Sequence, residues 1–543
     1  MSDRTAAASP PPDPTAAAEQ PADFDEIAYM VAFPKIAEAI RGGAFKSAFE
    51  HYTRRGIAEN RLAEPRYRKA LAAQQQLRAL AMPAEASAYP PGQAHGQIDT
   101  VLVADENACV VIGWIDDRAH PLTSIALHGA DGSRFVSSTI ARCRRADAEA
   151  VTGAPSGTLL GFWTIIEAPL AACLAAGTTI LLGCGQQETS HPVRPKPMEA
   201  ASLRDAAFEY LASATYFGAA AVESFSQLET GIGDQLLRLN QAVSARITAG
   251  AYVERHGPTG RAFAASIIVC LFGRLEYLFL QAAFFSTAAG AADYEFVYVC
   301  NSPELAEPLQ REARLAAQLY GLSITLVILP GNAGFGAANN AAVRHASSNR
   351  LIMLNPDVFP RDPGWTGRHA ALLAQLPAAQ TSLFGAPLFY DDGSLMHGGM
   401  FIDIDVGLSV THGGIVRRDL LRVEHFAKGA PPDTSLYQKS RRVPAVTGAF
   451  MSADRGWFER LGGFSEAYAF GHYEDADLCL RSWAAGGAVW LHNFPMWHLE
   501  GKGSTRRPPH EGGSIANRWH FTRTWIDTVR ASFCGPDPQG IRQ

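Results

Sequence analysis

The sequence predicts an α/β protein whose C-terminal half is built on a mostly parallel sheet, preceded by a small helical module and a β-sandwich. Three observations carry this. Beyond residue 264, runs near-continuous in Val, Ile and Leu alternate with helix-length segments, the pattern of strands covered on both faces. Between residues 94 and 195, short β-rich runs are separated by turn residues such as Asp131-Gly132. Between 23 and 85, apolar residues recur every three or four positions. A length of 543 residues exceeds one core, and 47% hydrophobic with 18% charged residues leaves most of the chain able to fold.

Residues 1–22, rich in Ala, Pro and Asp, bury too little to offset ordering entropy and are expected to be a disordered tail. The helical module follows, with Ile27, Phe33, Ile36, Ile40, Phe45, Phe49 and Tyr52 in register and breaks at Gly42-Gly43 and Gly56. Its Phe24-Asp25-Glu26 and Phe49-Glu50-His51-Tyr52 resemble a short module of bacterial surface-polysaccharide proteins. Strands of the sandwich are expected at Val101–Val103, Cys109–Trp114, Ile125–His128, Gly161–Trp163 and Thr179–Leu182. Trp114 and Trp163 have two readings, a stacking surface for a sugar ring or, more commonly for such tryptophans, core. Leu203, Phe208, Leu211, Phe225, Leu228, Leu236 and Leu239 suggest a helical linker over 200–255. The alternating region then reads as strand 266–271, helix 277–288, strand 296–300, helix 304–320, strand 324–329, helix 336–346 and strand 351–354.

A formal net charge of -6 gives no polycationic surface and argues against nucleic acid as a partner. The eight cysteines show no C-x-x-C pair or zinc spacing and several lie in apolar runs, as buried free thiols of a reducing compartment would. With no secretion-signal pattern and no apolar run of about 18 residues, the expected location is cytoplasmic, compatible with peripheral docking at the inner face of a membrane.

Asn355-Pro356-Asp357 ends the apolar run 350–354, which sets a carboxylate where ligands meet open α/β sheets, beyond the strand's carboxyl end. Asp357 is thus the first candidate ligand for a metal-nucleotide. Further on come the acidic run Glu474-Asp475-Ala476-Asp477 and His498. Read alone, that acidic run is also a helix start matched to the helix dipole, with Asp477 the more structural member.

The ordered set Ser266-Ile267-Ile268-Val269, Asn332-Ala333-Gly334-Phe335-Gly336 with Asn339-Asn340, Asn355-Pro356-Asp357-Val358, Gly448-Ala449-Phe450, Leu461-Gly462-Gly463-Phe464, Glu474-Asp475-Ala476-Asp477-Leu478 and Trp497-His498 resembles family 2 glycosyltransferases of GT-A fold, nearest the rhamnosyltransferase-like bacterial branch, over residues 264–530. The resemblance implies an inverting transfer of a sugar from a nucleotide-sugar donor to a saccharide or lipid-linked saccharide acceptor in cell-surface polysaccharide biosynthesis. It implies a divalent cation, Mn²⁺ or Mg²⁺, held by Asp357 and His498, with Asp475 as base and Glu474 beside it. Donor contacts fall on Asn301, Asn332, Gly334, Asn355, Lys502 and Arg506, and acceptor contacts on Gly448 and Trp497. Asn355 stands where the family usually has the first Asp of D-x-D, and Cys300-Asn301-Ser302 stands where many relatives carry a base-reading Asp. Two other classes are compatible with parts of the pattern: an inactive carbohydrate-binding scaffold, which Asn355 and Asn301 favour, and a nucleotidyltransferase, which has no use for the late Glu474-Asp475 pair.

Overall fold

The computed structural model describes residues 36, 39–40, 44–56 and 95–533, the last span without 105–107, 156–157, 214–224, 289, 377, 412–413, 432–438 and 500–507. The tail, most of the helical module, Lys502, Arg506 and Cys534 lie outside the described residues. Two compact units arise, residues 1–84 with 216–220, and the remainder. Of the first, a turn of helix at Ala48–His51 is described, capped where the Ser47 hydroxyl accepts from Glu50 N at 3.0 Å.

The second unit begins with two facing sheets, antiparallel apart from one short parallel edge pair. The strands, in chain order, are β1 (His95–Ala104), β2 (Ala108–Asp116), β3 (Leu122–His128), β4 (Arg134–Ser137), β5 (Ala141–Cys143), β6 (Gly161–Glu167), β7 (Thr179–Cys184), β8 (Gln187–Pro192) and β9 (Lys196–Pro197). They are arranged as β5-β6-β2-β1-β9 and β4-β3-β7-β8. β2 is buried on both faces: Cys109 and Val111 point into the sandwich, while Val110 and Ile112 face helices α1 (Ala200–Ser213) and α2 (Gly233–Ala249). The expected 200–255 linker is helical over α1 and α2 and packs as a layer, with Leu203, Phe208, Leu211, Leu236 and Leu239 all entering the same core. Of the two readings of Trp163, the structure bears out core. Trp163 is fully buried in that layer, its indole Nε1 donating to Gln227 Oε1 at 2.9 Å, so it offers no surface to a sugar. All seven described cysteines are free and buried.

The second half is built on a nine-stranded sheet. Its strands are β10 (Tyr252–His256), β11 (Ala265–Leu271), β12 (Tyr294–Cys300), β13 (Ser323–Ile328), β14 (Arg350–Leu354), β16 (Ser382–Gly385), β21 (Arg441–Arg442), β22 (Phe450–Asp454) and β23 (Ala488–Leu491), in the order β10-β13-β12-β11-β14-β22-β16-β23-β21. The block β13-β12-β11-β14 is parallel, with α3 (Tyr277–Ser286), α4 (Ala306–Tyr320) and α5 (Phe335–Val343) as its crossovers. β22 is antiparallel to β14 and β16, and β10 and β21 form antiparallel edges, so the sheet is mixed where the sequence suggested a mostly parallel one. The chain doubles back after β11, β12 and β13 to place β14 on the other side of β11, which creates a topological switch point at the carboxyl ends of β11 and β14.

A small second sheet, β15-β24-β17-β18, stands beyond those ends: β15 (Val358–Pro360), β17 (Leu388–Phe389), β18 (Leu395–His397) and β24 (Met496–His498). Between them the hairpin β19 (Met400–Thr411) and β20 (Gly414–His425) projects, and α6 (Trp365–Gln375), α7 (Glu474–Ala484) and α8 (Pro508–Phe533) complete the unit. Among the described residues no helix is long and apolar enough to cross a membrane. We predict that Trp163→Phe, which keeps the aromatic bulk but strands the buried Gln227 oxygen, costs about 1–3 kcal/mol, read as a lowered thermal midpoint of the whole chain.

Candidate active site

The site is assembled at the switch point. β14 ends at Leu354, and the following turn is pinned from two sides: Asn355 N donates to Ala449 O at 2.9 Å, and Gln281 Nε2 on α3 donates to Asn355 O at 2.8 Å and Val358 O at 3.2 Å. Val358 then pairs with His498, and Leu499 N donates to Asp357 O at 3.0 Å. This three-residue ladder brings together side chains more than a hundred positions apart, with His498 Nε2 lying 3.3 Å from Asp357 Oδ1, both side chains buried. Among the described residues, His498 Nδ1 is buried without a hydrogen-bond partner.

No group of three or more His, Cys, Asp or Glu able to hold a metal occurs among the described residues. Asp357 and His498 fit a different kind of cation site. Neighbouring ligands of an octahedral ion at about 2.1 Å lie about 3 Å apart, which matches the 3.3 Å between this oxygen and nitrogen. Small hard ions held by one or two protein ligands complete their shell with water and substrate phosphates.

The acidic run is held by a backbone that few residues adopt. Phe470, His472 and Tyr473 have φ of 60°, 84° and 76°. Each such left-handed residue costs about 1–2 kcal/mol. The offset comes from Asn517 on α8, fully buried, whose Oδ1 accepts from Ala469 N at 2.7 Å while Nδ2 reaches Ala469 O, Gly471 O and His472 O at 2.9, 2.8 and 3.1 Å. Released from that loop, α7 starts at Glu474. Asp475 Oδ2 accepts from Gly448 N at 2.9 Å and Oδ1 from Ala476 N at 2.8 Å. Since Ala449, next to Gly448, holds Asn355, the turn before β22 ties Asp475 to the Asn355-Pro356-Asp357 segment by one hydrogen bond on each side. A Cβ on Gly448 would lie 3.1 Å from the Phe335 ring and 3.6 Å from Asp475 Cβ, so the close approach requires glycine.

Glu474 is buried, its Oε2 has no hydrogen-bond partner among the described residues, and its carboxyl is pushed up to about 8, first by burial and then by the charge of Asp475. Asp477 is structural, accepting from Arg481 Nε at 2.7 Å and Trp525 Nε1 at 2.9 Å.

The loop before α5 borders the same cleft. Gly334 has φ 82°, and a Cβ there would lie 3.1 Å from Phe470 N. Asn332 Oδ1 accepts from Gly334 N at 2.9 Å and from Asn301 Nδ2 at 3.0 Å, and Asn301 Oδ1 accepts from Ala333 N at 2.8 Å. Asn301 is buried and both ends of its amide are engaged within the protein, which makes it a brace of the Asn332–Gly334 loop. Trp497 is half-buried, and one of its faces is covered by the Arg361 guanidinium at 4.0 Å from the ring centre.

The structure adds residues that sequence reasoning passed over. Arg204 on α1, almost completely buried, donates to Asn332 O at 2.9 Å and lies over the Phe470 ring at 4.7 Å, touching both cleft loops. Its signal was a cation on the buried stripe of Leu203, Ala207, Phe208 and Leu211. Asn517 and Gln281 carried a similar signal, an amide on the buried face of a helix.

No family model matches the chain. It is 28% identical over 209 residues to y4gI of Sinorhizobium fredii (strain NBRC 101917 / NGR234), described as uncharacterized, covering 38% of this chain and 21% of that protein. It is 28% identical over 152 residues to the O-antigen biosynthesis protein RfbC of Myxococcus xanthus, covering 28% of this chain and 11% of that one. The chain thus spans about a fifth or less of the curated relatives it matches. Among solved structures it is similar to GalNAc-T7 with UDP, GalNAc and Mn²⁺ (TM-score 0.35, 14% identity, 51% of this chain and 50% of that) and to the mannosyltransferase PcManGT of Pyrobaculum calidifontis with GDP-Man and Mn²⁺ (0.31, 13%, 61% and 88%). Likeness of this extent leaves the chemistry to the site's own residues.

Two outcomes follow. Glu474, raised above its unfolded value, favours folding fully only below about pH 4.5 and loses that contribution as pH rises through about 8. Glu474→Gln is therefore expected to flatten the fall of thermal midpoint between pH 5 and 8. Asn517→Ala should lower the midpoint by an amount equivalent to roughly 3 kcal/mol, because several backbone groups of the strained loop lose the side chain that bridges them.

Proposed function

We propose that the chain is an inverting, cation-dependent glycosyltransferase that moves a sugar from a nucleotide-sugar donor to a saccharide or lipid-linked saccharide acceptor. The single observation that carries the reading is that the adjacent residues Gly448 and Ala449 hold Asp475 on one side and Asn355, two residues before the Asp357–His498 contact, on the other. The order of motifs resembling family 2 glycosyltransferases supports it, and the O-antigen biosynthesis relative supports surface polysaccharide as the setting.

Asp357 and His498 would hold Mn²⁺ or Mg²⁺ together with the donor diphosphate, and the bound cation would supply neutralisation of the departing charge. Asp475 takes the proton from the attacking acceptor hydroxyl. Each of its oxygens already accepts one backbone N–H, which fixes the carboxylate while leaving a lone pair for the hydroxyl. Glu474, its carboxyl pushed up to about 8, adds little negative charge beside Asp475 near neutrality. The Asn332–Gly334 loop and Asn355 form the donor side, where Asn355 keeps its hydrogen-bonding side chain but withholds a second carboxylate from the cation. Lys502 and Arg506 remain donor contacts on the resemblance alone, and Gly448 and Trp497 border the acceptor.

The test is a screen of nucleotide-sugars against the full chain with Mn²⁺, followed by two variants. Asp475→Asn should lower kcat by about 10²–10⁴-fold with donor affinity held, whereas Asp357→Asn should abolish Mn²⁺-dependent donor binding. Release of pyrophosphate in place of nucleoside diphosphate, or loss of donor affinity in Asp475→Asn, would refute the assignment.

A further inference from the structure

Among the described residues, an arginine on the ladder that seats Asp357 lacks a counter-charge. Arg361 extends the ladder that seats Asp357: below the Asp357–Leu499 contact come the pairs Val358–His498, Phe359–Trp497 and Pro360–Met496, and then Arg361 N donates to Pro495 O at 3.4 Å. Its side chain lies across two cross-strand neighbours, 4.0 Å from the centre of Trp497 and 4.6 Å from that of Phe389. Among the described residues the guanidinium has no hydrogen-bonding or ion-pairing partner, although fifteen other arginines from Arg118 to Arg530 are engaged in ion pairs with carboxylates. Stacking on rings satisfies the face of a guanidinium and leaves the N–H fork at its edge open. Burial against the rings lowers the guanidinium's pKa from its ordinary value without removing its charge, and a partly desolvated, always-charged fork is suited to a planar or tetrahedral oxyanion.

We propose that Arg361, presented on the Trp497–Phe389 shelf, binds an acidic group, carboxylate or phosphate, on the acceptor saccharide. The assignment rests on the glycosyl-transfer reading of the cleft. Strand alternation decides between donor and acceptor as the source of the anion. Successive side chains of a strand stand on opposite faces, so Trp497 and the guanidinium stacked on it lie across the small sheet from the neighbouring His498, away from a diphosphate anchored there. The shelf belongs to the small sheet outside the donor side, so the anion reaching it comes with the acceptor. The same geometry alters the part of Trp497, which serves as the bed of the guanidinium instead of stacking on a sugar with that face.

The experiment is calorimetric titration of the full chain, wild type, Arg361→Gln, Arg361→Lys and Asp357→Asn, with glucuronate, glucose 6-phosphate, glucose and Mn²⁺ with inorganic pyrophosphate. Wild type should bind glucuronate or the sugar phosphate at least tenfold more tightly than glucose. Arg361→Gln should erase that tenfold preference, and Arg361→Lys should restore only part of it, since an ammonium lacks the fork. Glucose and Mn²⁺-pyrophosphate binding should be unchanged in both. Equal affinity of wild type for charged and neutral sugars, or an unaltered preference in Arg361→Gln, overturns the proposal. A selective loss of pyrophosphate in Arg361→Gln overturns it too, by assigning the anion to the donor. If instead Asp357→Asn binds Mn²⁺-pyrophosphate as wild type does, it is the transfer reading that fails, and the sugar-acid preference separates that failure from the failure of Arg361.

Discussion

The cleft depends on one buried amide. Asn517 holds a backbone that turns through left-handed conformations at Phe470, His472 and Tyr473, and this turn does two jobs at once. Downstream it releases α7 so that Glu474 and Asp475 begin the helix at the cleft. Upstream, Phe470 O accepts from Phe335 N at 2.8 Å, which seats the Gly334 turn before α5. A strain of roughly 3–6 kcal/mol for three such residues is of the order that a fully satisfied buried amide and its packing can offset, and strain of this kind recurs where function fixes the direction of a side chain.

Around that turn the molecule places helices from distant parts of the chain. Arg204 from α1 and Ser244 from α2, the latter donating to Ala333 O at 2.9 Å, hold the Asn332–Gly334 loop from behind. The Arg204 guanidinium is buried against a partly exposed Asp205 and the Phe470 ring, so its desolvation is met by two hydrogen-bonding partners and a π-face. Positioning of both cleft loops is therefore delegated to residues that never face the cleft.

The parallel block was legible because each strand is buried on both faces and leaves an unbroken apolar run of β-forming residues. Asp357 was legible for the same reason, as the first carboxylate past such a run. Its nearness to His498 was legible only through the motif resemblance, since β15 and β24 are strands of three residues each, too short to leave a periodic trace. The mixed character of the sheet was hidden because a strand's apolar pattern does not record its direction, and β22 reads like its parallel neighbours. Asn301 shows the limit of reading residue types: an amide in the right place looked like a ligand contact, while its partners, Asn332 and Ala333, are fixed only by the folded loop. Arg204 and Asn517 look like imperfections of amphipathic helices until the loops they hold are seen.

The apolar layer between the sandwich and the large sheet sets a bound on how this chain can be rearranged. Val110, Ile112, Trp163 and Ile165 share one continuous core with Leu203, Phe208 and Leu236, with Ala333 and Ala337 beside the cleft, and with Ala516 and Trp519 of the last helix. Cutting the chain ahead of β10 would bare a broad greasy flank and leave the cleft loops without their rear supports. The sandwich with α1 and α2 is thus a chassis for the second half and not an interchangeable accessory, and recombining this sheet with a foreign sandwich would demand a matching back wall.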